Sequence, residues 1–209
     1  MIKRCFTVLL AAVIAVLALS TLVLAQEVTA GTTGGDELAA AEALIVANLK
    51  AKVVEFEALP VCYVAGTVNE MDEMFGLVVQ AAKEQGLLNE ETEWGTVYPT
   101  VLTEEFTEES VVYAGISLPE DATPEEPLLP YTIPGGHYLM VQHWGDYAQL
   151  PQTWEQALIW AKLKGVETGT GPCFEHYVTD PDTTPVEEWL TEIFIPVIVE
   201  DAPTAVTTD

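Results

Sequence analysis

The segment YTIPGGHYLMVQHWGDYAQL at residues 131–150 gives the strongest indication of the fold, because it runs from a predicted strand directly into a predicted helix. Its apolar and aromatic residues up to Trp144 are typical of a β-strand. A helix is predicted over about Leu150–Lys164, where apolar residues recur every third or fourth position. Two more strand-like runs follow, at Cys173–Thr179 and Trp189–Ile198. The second half therefore has the order strand, helix, strand, strand.

The first half has the same order. Its first strand-like run is VVEFEALPVCYVAGTV at residues 53–68. An amphipathic helix begins near Met71, and Gly86 is placed to end it. Two strands are predicted next, around Gly95–Thr103 and Ser110–Leu118.

Corresponding elements of the two halves begin 78 or 79 positions apart. The pairs are Val53 and Tyr131, Met71 and Leu150, and Val111 and Trp189. A constant offset indicates a duplicated strand–helix–strand–strand unit. We therefore predict an α+β fold, with a mostly antiparallel sheet, two helices and a ligand cleft between the halves.

The first residues predict export. Lys3 and Arg4 precede an apolar run from Phe6 to Leu24, and Ala25 offers a small residue for cleavage. Residues 1–25 are interpreted as a signal peptide. The run is also long enough to stay as an uncleaved membrane anchor. Either reading places the domain outside the cytoplasm, secreted or periplasmic, with the membrane contacted only through this segment.

The rest of the chain divides at composition changes. Residues 26–52 are predicted to be a linker with a short helix, residues 53–199 the ligand-binding domain, and residues 200–209 a disordered tail. We expect a monomer.

The chain is strongly acidic, with 33 acidic and 7 basic side chains and a net charge of −26. Such a surface repels phosphate backbones, so we expect no nucleic-acid partner. It would attract cationic ligands, although high solubility or salt tolerance explains it equally well.

Two cysteines lie outside the leader, Cys62 and Cys173. In an oxidising compartment they could form a disulfide, although both sit in apolar runs where a buried free thiol is as ordinary. His137 and His143 share one face of a strand about 20 Å apart, too far to bind one metal ion. No metal and no cofactor are predicted.

Several residues of the second half resemble a known family. They are Ile133, Pro134, Gly135 and Gly136, then Gly145 and Tyr147, then Glu175, Tyr177, Asp180 and Pro181, then Glu192, Ile193 and Pro196. In this pattern residues 53–199 resemble the GyrI-like domain, found in DNA gyrase inhibitor homologues and in the effector-binding domains of AraC- and MerR-type regulators. The resemblance implies a groove that holds amphipathic, often cationic or aromatic, molecules, with the residue matching Glu175 at its centre.

Glu175 is the first candidate for the site. It shares one face of its strand with Tyr177, while Phe174 and His176 share the other. We assign Phe174 to the helix-covered face, so that Glu175 points into the cleft. Further ligand-binding candidates are the aromatic residues Tyr138, Trp94, Trp144 and Trp160. Trp154 matches the buried helical stripe and is assigned to the core.

The predicted function is extracytoplasmic binding of an amphipathic small molecule, without catalysis. Two alternatives stay open. A hydrolase of strained or electrophilic compounds would use Glu175 as its acid–base residue, as the resemblance to some GyrI-like hydrolases implies. An acidic module that binds a cationic partner protein is the other. Haem ligation by one histidine, as in the related SOUL domain, has no further support in the sequence.

Overall fold

A computed structural model describes residues 34–99 and 107–199 of the chain. The predicted signal segment or anchor at 1–25, the first part of the linker, the end of the run at 95–103 and the tail at 200–209 lie outside these residues. The described elements are α1 (Gly34–Asn48), β1 (Ala51–Phe56), β2 (Leu59–Thr67), α2 (Met71–Glu84), β3 (Trp94–Tyr98), β4 (Val111–Ser117), β5 (Leu129–Ile133), β6 (Gly136–Trp144), α3 (Leu150–Lys164), β7 (Glu167–Thr168), β8 (Cys173–Tyr177) and β9 (Leu190–Ile198).

The strands form an antiparallel sheet in the order β1-β6-β9-β8-β3-β4-β2-β5, and β7 pairs with β9. Read from its two ends towards the middle, the sheet has the same order of elements in both halves. The equivalent pairs are β1 and β5, β6 and β2, β9 and β4, and β8 and β3. The halves therefore meet at the β3–β8 pair, related by an approximate twofold axis. The predicted α+β fold and its duplicated unit are confirmed.

The first predicted strand of each half is in fact two strands. Residues 53–68 belong to β1 and β2, which separate at Glu57, and residues 131–144 belong to β5 and β6, which separate at Pro134. At these points the chain passes from one end of the sheet to the other. The two crossings touch, because a side-chain carbon on Gly135 would lie 2.9 Å from the backbone nitrogen of Ala58.

The helices α2 and α3 cover one face of the sheet. Helix α2 packs on β2 and β4, and α3 packs on β6 and against α1. Both end in the same way, because Gly86 and Gly165, 79 positions apart, adopt left-handed backbone conformations with φ of 70° and 68°. Glycine adopts this conformation without steric cost and is the usual residue just after a helix.

An aromatic cluster fills the other face. Phe174 and Phe194 stack with their ring centroids 4.4 Å apart, and Phe56 and Tyr138 pack edge-on or tilted against them. Phe56 lies on β1 and Phe174 on β8, three strands away in the sheet. Since their ring centroids are only 4.9 Å apart, the sheet bends over this cluster. The central strands β3, β8 and β9 are therefore largely buried on both faces of the sheet.

The cysteines do not form a disulfide. Cys62 and Cys173 are free and buried. Cys62 lies on β2 and Cys173 on β8, three strands apart in the sheet. Three strand spacings are about 14 Å, twice the largest Cα separation that a disulfide spans.

Reducing agents are therefore expected to leave the melting temperature of the protein unchanged. Burial raises the pKa of the Cys62 thiol to about 11, so it stays protonated and unreactive at pH 8. Titration with an aromatic disulfide reagent at pH 8 should modify Cys62 and Cys173 only after a denaturant is added. Rapid modification of the folded protein would contradict their buried positions.

Among residues 34–99 and 107–199, no helix has both the length and the apolar character needed to cross a membrane.

Candidate functional site

Glu175 lies at the centre of the sheet, on β8, with 2% of its surface exposed. Its partner across the β3–β8 pair is Thr96. The two positions are 79 apart, so they are equivalent under the duplication and lie on the approximate twofold axis. The Glu175 carboxyl group is therefore placed where the two halves meet.

Two ring donors hold the carboxyl group from the helix-covered side. Trp154 on α3 donates its indole N–H to Glu175 Oε1 at 2.7 Å, and Tyr177 donates its hydroxyl to Oε2 at 2.9 Å. Thr96 Oγ1 lies 2.9 Å from the Tyr177 hydroxyl. Since Tyr177 gives its proton to Glu175, Thr96 donates to Tyr177.

The aromatic surroundings of Glu175 repeat across the twofold axis. Tyr98 also hydrogen-bonds Glu175, and it precedes Tyr177 by 79 positions. Phe75 on α2 precedes Trp154 by the same number. Phe75 packs against Tyr177 and Trp154 against Tyr98, with centroid distances of 5.9 and 5.6 Å. Each half thus contributes one helix aromatic residue and one strand tyrosine to the cage.

Among residues 34–99 and 107–199 the carboxyl group has no cationic partner. Within the described residues no lysine or arginine forms an ion pair with Glu175. Desolvation raises the pKa of Glu175, and the hydrogen bonds from Trp154, Tyr177 and Tyr98 partly oppose this. Burial, together with the Glu175 charge, raises the pKa of Tyr98 and Tyr177 well above its usual value, so both remain neutral donors.

A cavity of about 600 Å³ lies beside the cage. Its aromatic wall consists of Phe75, Trp94, Tyr147 and Tyr177. Tyr177 and Phe75 belong to both the cavity and the cage, whereas Glu175 itself does not line the cavity. Acidic residues form much of the remaining lining: Glu90, Glu91, Glu93, Asp180 and Asp182. The cavity therefore offers aromatic surface and negative charge together.

The predicted orientation of β8 is wrong. Glu175 faces the helices α2 and α3, whereas Phe174 faces the aromatic cluster on the opposite side. Of the predicted aromatic residues, Tyr177 and Trp94 lie at the cage and cavity.

The structure does not bring the remaining three predicted aromatic residues together with Glu175. Tyr138 belongs to the aromatic cluster, where its hydroxyl donates to the Pro134 carbonyl oxygen at 2.9 Å. Trp144 lies at the end of β6, with Lys50 over its ring, and Trp160 packs against the core from α3. Within the described residues no group of three or more potential ligands is placed to hold a metal ion.

Three residues of the cage were not identified from the sequence: Trp154, Tyr98 and Phe75. Trp154 is buried, as its place in the helical stripe predicts, and its indole N–H also donates to Glu175. The 79-residue offset of the repeat could have identified these residues. Adding 79 to Tyr98 gives Tyr177, and adding 79 to Phe75 gives Trp154, so paired aromatic positions mark the cage.

Replacing Glu175 by Gln is expected to remove a pH-dependent destabilisation of the fold. The pKa of Glu175 is raised in the folded chain, so the folded state binds this proton more tightly than the unfolded chain does. The stability that the bound proton adds to the folded state is complete below the pKa of the unfolded chain, about 4.3. It is lost as the pH rises through the pKa of the folded state. Urea unfolding between pH 4 and 8 should show the Gln variant gaining over the wild type as pH rises. A pH-independent difference would contradict the prediction.

This chain is similar to known proteins in both sequence family and fold. Residues 50–198 match the family described as the GyrI-like small molecule binding domain. Among solved structures, the EcmrR C-terminal domain is similar with a TM-score of 0.62 and 19% identity, over 72% of this chain and 98% of that one. An uncharacterized conserved protein from Listeria innocua has a TM-score of 0.53 and 12% identity, over 71% and 92%.

SAV2435, in a structure bound to tetraphenylphosphonium, has a TM-score of 0.51 and 18% identity, over 71% of this chain and 94% of that one. A comparison with curated protein sequences gives no match.

Proposed function

This chain belongs to the GyrI-like small-molecule-binding family, and from that premise we propose that it binds an organic cation carrying aromatic groups, with Glu175 as counterion. The observation that carries the proposal is the buried carboxyl group of Glu175, whose partners in the described part of the chain are neutral donors. A buried carboxylate without a cation is unfavourable. A cationic ligand would supply the missing charge.

The cavity beside the cage supports the same class of ligand. Its aromatic wall can pack against apolar rings and hold a cation over ring faces. Its acidic lining and the net charge of −26 raise the local concentration of cations. In this proposal the Tyr177 ring turns aside, the ligand enters from the cavity, and its positive charge comes to rest beside Glu175.

Calorimetry with two ions of matched shape tests the proposal. Tetraphenylphosphonium, which is bound in the similar structure of SAV2435, and tetraphenylborate present four phenyl rings around opposite charges. We expect the cation to bind in the micromolar range and to raise the melting temperature, and the anion to do neither. Equal binding of both ions would show that Glu175 does not set the specificity.

We also propose that the protein acts outside the cytoplasm. Support comes from the composition of residues 1–25, a basic start followed by an apolar run that ends at Ala25. Fractionation of expressing cells and N-terminal sequencing test this. The expected product is exported and begins at Gln26. A cytoplasmic product that retains the leader would contradict export.

A further inference from the structure

A second cavity, of about 420 Å³, lies away from Glu175, between α1, α3 and the end of β6. None of the described residues that line it is acidic, although the chain has 33 acidic side chains. Four of the seven glutamines in the chain line it instead: Gln142, Gln149, Gln152 and Gln156. Its composition is the opposite of that of the acidic cavity beside Tyr177.

Three of these glutamines lie on one helix face. Gln149 directly precedes α3, and Gln152 and Gln156 follow it at helical spacing, so their side chains form a stripe at the start of α3. Within the described residues their side-chain amides have no hydrogen-bond partner. Each amide has two donors and one acceptor. Hydroxyl groups both donate and accept, so a molecule with several hydroxyls can satisfy the whole stripe.

The floor and rim of the second cavity complete the polar surface. On the floor, His143 Nδ1 lies 2.7 Å from Thr153 Oγ1, and both residues are buried. This pair holds β6 and α3 at a fixed separation. At the rim, Trp144 is 47% exposed, and Lys50 Nζ lies 5.2 Å from its ring centroid. The rim therefore offers an indole ring and a single positive charge.

We propose that this second cavity binds a saccharide, with the glutamine stripe hydrogen-bonding its hydroxyl groups and Trp144 packing against its ring. The volume suits a ligand of one or two sugar rings. The absence of carboxylates from the described lining admits acidic sugars as well as neutral ones, and Lys50 favours a uronate. This inference does not depend on the proposed cation site, which lies on the other side of α3.

Binding of the full chain to a saccharide panel tests the proposal. The probes are neutral oligomers of glucose and N-acetylglucosamine, and oligomers of galacturonic acid, followed by calorimetry. We expect at least one class to bind and the double variant Gln152→Leu/Gln156→Leu to lower its affinity about 100-fold, or about tenfold for each lost hydrogen-bonding group. Both positions lie at the surface of α3 and leucine favours helices, so the variant should melt like the wild type.

Matched controls separate the second cavity from the rest of the surface. Gln80→Leu changes an exposed glutamine on α2 and should leave affinity within twofold of the wild type. Lys50→Gln should weaken galacturonate binding and spare neutral sugars, and an unchanged uronate affinity would overturn the role of Lys50. The proposal is overturned if no saccharide binds or if the double variant binds normally. Loss of saccharide binding in Glu175→Gln would overturn it too, because the sugar would then occupy the cation site.

Discussion

Glu175→Gln is expected to lower the affinity for tetraphenylphosphonium by about 100-fold or more. The change leaves the size of the side chain almost the same and removes its charge. A buried charge pair loses about 3 kcal/mol or more when one partner is neutralised, which corresponds to roughly 150-fold in affinity. Calorimetric titration of both proteins measures the difference. Melting curves of both proteins at the pH of the titration separate weaker binding from unfolding.

Glu192→Gln is the matched control for this prediction. Glu192 lies on β9, and its carboxyl group is near His176 on the face opposite Glu175, with Oε2 3.9 Å from the histidine Nδ1. The change removes the same charge from the neighbouring strand without touching the cage. It should leave tetraphenylphosphonium affinity within about twofold, since a partly exposed charge is screened by solvent. If both variants lose affinity equally, general surface charge rather than Glu175 attracts the cation.

Glu175→Gln also bears on the hydrolase alternative, which stays a prediction. A hydrolase that uses Glu175 as acid and base would lose turnover in Glu175→Gln. The carboxyl group is buried and hydrogen-bonded by Trp154 and Tyr177, so we expect that a substrate must displace one of these rings to reach it. Binding and turnover therefore share one entry step. They differ in the protonation state of Glu175 that they need, because cation binding requires the ionised carboxylate whereas acid–base hydrolysis requires the carboxyl group to exchange its proton.

Gly95→Ala is expected to destabilise the fold by about 3 kcal/mol, because the added carbon overpacks the sheet. It would overlap the carbonyl oxygen of Glu175 on the adjacent strand, and backbone cannot move aside as a flexible side chain can. Gly115, paired directly with Gly95 on β4, meets the Cys62 carbonyl in the same way. For a domain of this size the melting temperature should fall by roughly 10 °C.

Gly76→Ala provides the opposite result from the same chemical change. Gly76 lies inside α2, and an added carbon there meets nothing within 4 Å. Alanine favours a helix interior over glycine by about 0.5–1 kcal/mol, so this variant should be more stable than the wild type. Thermal unfolding of the two variants side by side is the measurement. Equal stability of both would show that the backbone contact at Gly95 is not limiting.

The order of elements could be predicted from the sequence because periodicity and repeat are local properties. The orientation of β8 could not. Alternation identifies the buried face only when the other face is solvated, whereas here Phe174 meets the aromatic cluster and Glu175 meets the helices. The alternation of Phe174 and Glu175 therefore does not show which of the two residues faces the helices.

The sequence left open whether Cys62 and Cys173 form a disulfide, for a different reason. Whether two cysteines can meet depends on strand order, and the sequence places no constraint on the three strand spacings between β2 and β8. The location of Glu175 on the twofold axis also required the strand pairing, since only the register shows that Thr96 lies directly opposite.

The pairing of Thr96 with Glu175 gives the proposed cation site a single carboxyl group. Glutamate at both positions would place two carboxyl groups opposite each other on adjacent strands, where they would hold a proton between them. Threonine cannot ionise, so only Glu175 of these two equivalent positions can carry charge. We therefore expect one bound cation per chain, although the chain consists of two equivalent halves.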